Sequence, residues 1–239
     1  MLDEKRKSLT IVMPALNEQK NIKKAVVELY HAGKKLLDEF EIIIVDDGST
    51  DKTPLIAADL AKNLGSEIKV IRKEKNEGIG PAYFTGVAQA HCQYITCIPS
   101  DGAYPIDGLK AIFSEAGSAP VILGFRSNLN ERPPFRRFLS RLVTYYVSLL
   151  TWKKIIDVNG LFIMPVSLAK SFSYRCAKYI YQMELVSYVL NSPIEYKQIP
   201  VNYSRGADKN SGMLRLPVLM DVIKTVCRTF FLKITGRLP

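Results

Sequence analysis

The apolar and polar positions of the first 125 residues alternate between two periods. Short apolar runs such as those at 9–13 and 41–45 are typical of buried strands, and the stretches between them repeat apolar residues at helical spacing. Strands that alternate with helices in this way predict βαβ units, an α/β class and a mostly parallel sheet. The predicted strands are Leu9–Met13, Glu41–Val45, Glu67–Ile71, Tyr94–Ile98 and Pro120–Gly124, and the predicted helices are Glu18–Leu37, Asp51–Leu64, Gly78–Ala90 and Pro105–Ala116.

After residue 125 the pattern changes to longer amphipathic segments. Helices are predicted at 134–152, 178–191 and 217–234, and strands at 160–165 and 194–201. The first of these helices carries its polar residues Arg137, Ser140, Arg141, Thr144 and Ser148 opposite an apolar face made of Phe135, Phe138, Leu139, Leu142, Val143, Tyr146, Leu149 and Leu150. The last opposes Leu219, Val222, Ile223, Val226 and Phe230 to Asp221, Lys224, Thr225 and Arg228.

The charge of the 239 residues is concentrated in the two amphipathic segments. The formal net charge is +10, of which residues 126–154 carry +6 and residues 205–239 carry +5, whereas residues 1–125 carry −2. This surplus predicts an anionic partner. Nucleic acid is disfavoured, because the basic residues interleave with apolar faces and not with an exposed aromatic stacking surface.

Composition excludes several other classes. The four cysteines form no Cys-x-x-Cys pair, which argues against structural zinc and favours buried free thiols in a reducing compartment. The charged N-terminus lacks the apolar core of a secretory signal. The longest uncharged stretch, 78–100, is interrupted by glycines and prolines, so we expect no membrane span there.

Polar residues that could bind a ligand or take part in catalysis follow four of the predicted strands. In parallel sheets ligands bind beyond the carboxyl ends of the strands, which directs attention to the loops 14–18, 46–51, 73–81 and 99–105. Paired carboxylates can accept hydrogen bonds from a ribose or a base, a glycine-rich turn that opens a helix suits an anion, and an Asp at a strand end can hold a divalent ion against a diphosphate. Each loop also has a purely structural interpretation as a turn or a helix cap.

Eight motifs, in order, resemble those of the family 2 glycosyltransferases, which have the GT-A fold. They are IVMPALNE, VDDGSTDKT, NEGIGPAYFTG, PSDG, LGFRSN, FRRFLSRLVTYYVSLLTWKKIIDVNGLF, YQMELV and IPVNYSRGADKNSG. The order is similar to that of the dolichyl-phosphate mannose synthase-like branch and covers roughly residues 8–212. The resemblance implies a GT-A domain at 1–212, with a nucleotide-sugar half (1–125) and an acceptor half (126–212), and a basic amphipathic C-terminal extension at 213–239.

The resemblance also assigns residues to roles. It implies a nucleotide-sugar pocket made of Pro14, Asn17, Glu18, Asp46, Asp47, Gly78, Gly80 and Asp101, with Asp101 also binding Mg²⁺ or Mn²⁺, and acceptor or diphosphate contacts from Arg126, Arg141, Arg205 and Ser211. Arg137 is an equally good match to the position of Arg141. This chain departs from the family pattern at Pro99, which replaces the first Asp of Asp-x-Asp, at Ala103, and at Ile79, where a basic residue is often found.

The implied reaction is an inverting transfer of a sugar from a UDP- or GDP-linked donor. A hydroxyl acceptor would need a general base, for which Glu184 and Asp157 are the candidates, whereas a phosphate acceptor would need only orienting cations. The basic amphipathic helices favour a polyprenyl phosphate at an anionic membrane surface and a peripheral position on the cytoplasmic face. The alternatives are a hydroxyl of an envelope glycan or lipopolysaccharide, a catalytically silent nucleotide-sugar-binding protein, and helices that pack on the sheet or in a homo-oligomer.

Overall fold

A mixed seven-stranded sheet runs through the protein, with helices on both of its faces. The computed structural model describes residues 7–128, 133–172, 180–204 and 216–235. The strand order is β3-β2-β1-β4-β6-β5-β7, and only β6 runs antiparallel to its neighbours. The strands are β1 Ser8–Ala15, β2 Glu39–Asp46, β3 Ile68–Arg72, β4 Tyr94–Cys97, β5 Val121–Arg126, β6 Phe162–Pro165 and β7 Tyr196–Val201. The helices are α1 Ile22–Leu36, α2 Thr53–Leu64, α3 Ile79–Ala88, α4 Ile106–Ser114, α5 Pro134–Thr151, α6 Val166–Ser171, α7 Tyr181–Asn191 and α8 Leu216–Ile234.

The predicted α/β class and its mostly parallel sheet are confirmed. The largest boundary error is at α1, which begins at Ile22 and not at Glu18, because residues 16–21 form a loop that bonds to the following β2–α2 loop. The sequence analysis missed α6, whose six residues are too few to establish a helical period.

The parallel register brings the ends of three strands to one edge. Ala15 of β1 pairs with Asp46 of β2, and Asp46 pairs with Arg72 of β3. The N–H of Ser100, just beyond β4, donates to the Pro14 carbonyl at 3.3 Å. All four predicted loops therefore meet at the same edge of the sheet.

Helix α5 buries the side that the sequence marks as polar. Ser140 and Thr144 are buried, whereas Phe138, Leu142 and Leu149 are at least half exposed. A stripe of apolar residues on a helix ordinarily packs on the core, and here hydrogen bonds to the hydroxyl groups determine which side faces inward.

Helix α8 packs against the rest of the chain and repeats this orientation. Thr225 and Thr229 are buried, whereas Ile223 and Phe230 are exposed. The Tyr146 hydroxyl of α5 donates to the Val226 carbonyl at 2.8 Å. None of the helices within the described ranges is long and apolar enough to cross a membrane. The proposed boundary at residue 212 lies outside the described residues and stays a prediction.

Candidate active site

The loop after β1 is held by the loop after β2. Asn17 adopts a left-handed conformation (φ 56°), and its side-chain oxygen accepts the N–H of Thr50 at 2.9 Å. The N–H groups of Asn17 and Glu18 donate to the hydroxyls of Ser49 and Thr53 at 2.9 and 2.8 Å. Asn17 therefore shapes the entrance to the site, and Pro14 lies behind it in the buried end of β1.

Asp46 is buried at the end of β2 with one oxygen committed. Its Oδ1 accepts the N–H of Ser49 at 3.0 Å, whereas its Oδ2 has no hydrogen-bond partner and lies 3.4 Å from Nε of Arg72. A buried carboxylate oxygen without a hydrogen bond is costly. Among the described residues, Oδ2 of Asp46 therefore has only the Arg72 guanidinium as a partner and lacks a hydrogen bond.

Asp47 binds the glycine-rich turn with both of its oxygens. Its Oδ1 accepts the N–H of Glu77 at 3.1 Å, and its Oδ2 accepts the N–H of Gly78 at 2.7 Å. Lys73 lies 3.4 Å from Asp47 and also pairs with Glu77. These two amides of the turn thus bind a carboxylate of the protein itself.

Two glycines allow this close packing. Gly78 has a φ of 102°, which an L side chain rarely adopts. Gly48 has a φ of 76°, and a Cβ placed on it would lie 2.7 Å from the backbone of Lys75. Gly80, the other predicted glycine, is buried in the first turn of α3.

Asp101 lies in the loop beyond β4 and keeps exposed surface. Its Oδ1 accepts the N–H of Ala103 at 3.0 Å. Burial by the surrounding protein raises the pKa of Asp101, and burial together with the charges of Asp101 and Asp51 raises the pKa of Glu18. The charge of Asp101 thus raises the cost of ionising Glu18, and a cation that binds between two such carboxylates lowers that cost.

The donor set fits a divalent ion only if a ligand completes it. The described residues contain no group of three or more His, Cys, Asp or Glu side chains that could hold a metal. Mg²⁺ commonly binds through one or two carboxylates, waters and the phosphates of a substrate. Asp101 with a diphosphate satisfies that requirement, so its hard oxygen donors fit the ion predicted from the sequence.

A buried ion pair lies at the end of β5. The Nε and Nη2 atoms of Arg126 donate to Asp157 at 2.6 and 2.9 Å, and Nη2 also reaches the Ser140 hydroxyl at 3.0 Å. Arg126 and Asp157 are 6% and 3% exposed. Both predicted functional residues therefore bind each other in the described structure.

Two tyrosines connect this ion pair with Asp101. The ring of Tyr203 lies 5.5 Å from the Arg126 guanidinium carbon and packs edge-on against Tyr104, with 5.4 Å between ring centroids. Burial raises the pKa of Tyr104 well above its usual value, and the negative charge of Asp101 raises it further. The Ser204 N–H donates to the Ala103 carbonyl at 2.8 Å, which places Ser204 beside the Asp101 loop.

The remaining predicted residues lie away from the strand-end loops or outside the described residues. Glu184 is 2% exposed, and its Oε1 lies 3.3 Å from Nη2 of Arg228 on α8, while its Oε2 has no hydrogen-bond partner. Arg141 is exposed on α5. Arg205 and Ser211 lie outside the described residues.

Sequence reasoning missed four residues that shape the site. Arg72 and Lys73 face the paired carboxylates, and the Arg-Lys sequence directly after a predicted strand was the available signal. Tyr104 follows the Asp101 loop closely enough to have been considered. Nothing in the local sequence indicates that Arg228 reaches Glu184, since the contact joins residues 44 positions apart.

Comparison with protein families and curated proteins gives consistent matches. The model for glycosyl transferase family 2 matches residues 10–178. Undecaprenyl-phosphate 4-deoxy-4-formamido-L-arabinose transferase of Pseudomonas fluorescens is 28% identical over 149 residues, which are 62% of this chain and 44% of that protein. Dolichyl-phosphate beta-glucosyltransferase ALG5C of Trichomonas vaginalis is 25% identical over 231 residues, 87% of this chain and 68% of that protein. The chain spans about half the length of several curated relatives that it matches.

Solved structures share the fold. Mannosyltransferase PcManGT of Pyrobaculum calidifontis, in complex with GDP-Man and Mn²⁺, superposes with a TM-score of 0.66 at 17% identity over 96% of this chain and 66% of that one. Glucosyl-3-phosphoglycerate synthase of Mycobacterium tuberculosis, with Mn²⁺, UDP-glucose and phosphoglyceric acid, gives 0.65 at 18% identity over 95% and 79%. The predicted GT-A fold is confirmed.

Proposed function

Because the chain belongs to glycosyl transferase family 2, we propose that it is an inverting glycosyltransferase that moves a sugar from a UDP- or GDP-linked donor to a polyprenyl phosphate. The carrying observation is the meeting of four loops at one sheet edge, where Asp46 has a buried carboxylate oxygen without a hydrogen bond and Asp101 has an exposed carboxylate. Several relatives are named for transfer to undecaprenyl or dolichyl phosphate.

The donor binds at the ends of β1 to β4. Oδ2 of Asp46 accepts an N–H or hydroxyl of the nucleoside, and Asp47 works indirectly by holding the 77–78 turn in place. Asp101 would hold Mg²⁺ or Mn²⁺ together with the diphosphate. When bound, the ion stabilises the negative charge that develops on the leaving diphosphate.

A phosphate acceptor suits the site better than a hydroxyl. Both candidate bases, Asp157 and Glu184, are buried and paired with arginines, so neither carboxylate is open to a hydroxyl of a substrate. A phosphate oxygen is already anionic and needs no base. It needs cations, for which Arg141 and Arg205 are the candidates, while Arg126 supports their surroundings through Asp157.

We place the reaction on the cytoplasmic face of a membrane. The acceptor is a lipid, and residues 126–154 and 205–239 carry the positive charge that an anionic leaflet attracts. The described cysteines Cys92, Cys97 and Cys227 are free thiols, which fits a reducing compartment.

Ligand-induced stabilisation followed by turnover tests the proposed activity. We expect one class of UDP- or GDP-sugar with Mn²⁺ to raise the unfolding temperature selectively, since a ligand that binds only the native state stabilises it. With a polyprenyl phosphate acceptor the protein should release the nucleoside diphosphate, and Asp101→Ala should abolish release while the fold is kept. Donor binding without turnover would instead identify a catalytically silent binding protein.

Glu184→Gln tests whether Glu184 is the base that a hydroxyl acceptor would need. If the acceptor is a phosphate, the variant should keep turnover within about tenfold of the wild type, because no proton has to be removed. If the acceptor is a hydroxyl and Glu184 is the base, the loss should be roughly 10²–10⁴-fold. Thermal unfolding of both proteins controls for a change in folding.

A further inference from the structure

The outward face of α5 is almost entirely apolar and aromatic. Phe138, Leu142 and Tyr145 are 61%, 52% and 63% exposed, and Trp152, directly after the helix, is 85% exposed. Phe135 and Leu149 extend the same row at spacings of three and four residues. Soluble monomers seldom expose contiguous apolar patches of this kind unless the patch binds something.

The helix cannot roll to hide this face. Ser140, Thr144 and Ser148 recur every four residues on the inner side, where their hydroxyls accept hydrogen bonds from Arg126 at 3.0 Å, the Val158 N–H at 3.3 Å and the Ile155 N–H at 3.2 Å. Rotation would break all three bonds and leave buried donors unpaired, which is costly. The hydrogen bonds on the inner side of α5 therefore keep the apolar row exposed.

Helix α8 adds a second row that is fixed in the same way. The Tyr146 hydroxyl lies 2.8 Å from both the Val226 carbonyl and the Thr229 hydroxyl, which ties α8 to α5. The side of α8 that faces solvent carries the exposed apolar residues Met220, Ile223, Phe230, Phe231 and Ile234.

We propose that the outward faces of α5 and α8 form a docking surface for an anionic lipid bilayer. The inference rests on the proposed function, because a protein docked on a bilayer would find its polyprenyl phosphate acceptor there. Trp and Tyr side chains favour the boundary between headgroups and acyl chains, and Trp152 and Tyr145 project from this row. The exposed side chains Arg141 and Lys154, with the exposed Lys224 of α8, supply positive charge that complements anionic headgroups.

The position of Arg141 favours a bilayer over a second copy of the chain. Arg141 is exposed between Phe138 and Leu142, on the outward side of α5. A protein partner packed on this row would bury the guanidinium and require a carboxylate opposite it. At a bilayer the same side chain can extend to a lipid phosphate while its neighbours enter the acyl region.

The single tryptophan of the chain makes the surface directly measurable. Trp152 is the only Trp, so its emission reports on this row alone. Titration with phosphatidylglycerol vesicles should shift the emission to shorter wavelength, and phosphatidylcholine vesicles should do so much less. Equal shifts with both lipids would overturn the assignment to an anionic surface.

A matched pair of substitutions locates the contact. Leu142→Glu should weaken partitioning roughly tenfold or more, because a leucine leaves the apolar phase and a carboxylate approaches anionic headgroups. Leu55→Glu makes the same change on α2 at a leucine that is 71% exposed, and it should leave partitioning unchanged. Unaltered binding by Leu142→Glu, or a homodimer that this variant converts to a monomer, would overturn the proposal.

The outcomes separate this surface from the proposed activity. Nucleotide release with a short-chain, water-soluble polyprenyl phosphate does not need a bilayer, so Leu142→Glu should retain it. Turnover with the soluble acceptor but no vesicle binding would contradict the docking surface and leave the proposed activity standing. Vesicle binding without turnover under any donor would sink the proposed function alone.

Discussion

At the scale of single residues, the ionised carboxylate of Asp101 that would bind a cation also lowers the stability of the folded protein. Burial raises its pKa above the ordinary value of 3.8, so the folded state binds this proton more tightly than the unfolded chain does. The stability associated with the protonated carboxyl is complete below pH 3.8 and is lost as the pH rises through the raised folded pKa. An ionised Asp101 therefore destabilises the protein at neutral pH until a cation binds.

Asp101→Asn should accordingly stabilise the metal-free protein at pH 7 while it abolishes turnover. The gain should shrink as the pH falls and vanish below about pH 3.8, where both side chains are neutral. Urea unfolding across this range measures it. Asp107→Asn removes one charge from an exposed position on α4 and is the control. An Asp101→Asn protein that is less stable than the wild type at pH 7 would contradict the argument.

Arg126→Ala should cost much more stability than the loss of a surface ion pair. Without the guanidinium the buried Asp157 carboxylate has no cation, for which a loss of about 3–5 kcal/mol in the free energy of unfolding is expected. Lys197→Ala breaks the Lys197–Glu115 pair, in which both side chains are partly exposed, and should cost at most about 1 kcal/mol. Equal losses in urea unfolding would mean that Asp157 reaches water.

Residue patterns could predict where the site lies but not which atoms are free. Asp46 and Asp47 follow a buried run, and the geometry of parallel sheets places such ends together. The sequence does not reveal that both oxygens of Asp47 accept hydrogen bonds from the 77–78 turn, whereas one oxygen of Asp46 accepts none. That difference depends on the path of a loop 30 residues away.

At the scale of elements, α5 shows what helical periodicity omits. The spacing of its apolar residues predicts the helix and both of its faces, but of the predicted apolar face only Leu150 is fully buried. Periodicity does not say which face is buried. Ser140 and Thr144 are drawn inward because Arg126 and the N–H of Val158 need acceptors there.

Helix α8 makes a comparable polar contact through Arg228. Arg228→Leu should lower the free energy of unfolding by roughly 2 kcal/mol, less than for a fully buried pair because the Arg228 side chain is 26% exposed. Adding Glu184→Leu should recover part of this loss, since the orphaned carboxylate is then removed. Lys224→Leu, at an exposed position on the same helix, should have little effect. Strictly additive losses in the double variant would show that the two side chains do not interact.

At the scale of the whole molecule, charge and fold divide along the chain. The proposed nucleotide half is close to neutral at −2, and it supplies the carboxylates that suit a metal–diphosphate complex. The positive charge lies in α5, α8 and the chain around them. In the proposed reaction the two substrates thus meet surfaces of different character, one adapted to an ion-bound nucleotide and the other to an anionic lipid surface.

This division predicts different salt dependence for the two substrates. Raising the ionic strength from about 0.05 to 0.5 M shortens the range of charge interactions from more than 10 Å to less than 8 Å. Turnover with acceptor in phosphatidylglycerol vesicles should therefore fall several-fold, because the basic segments lose their attraction to the leaflet. Turnover with the water-soluble acceptor should change much less, since Asp101 and its cation act at short range. The measurement is kcat/KM for both acceptors across this salt series, with Leu142→Glu as a control that binds the membrane less tightly. Equal salt dependence for both acceptors would mean that the basic segments bind the phosphate of the acceptor and not the membrane.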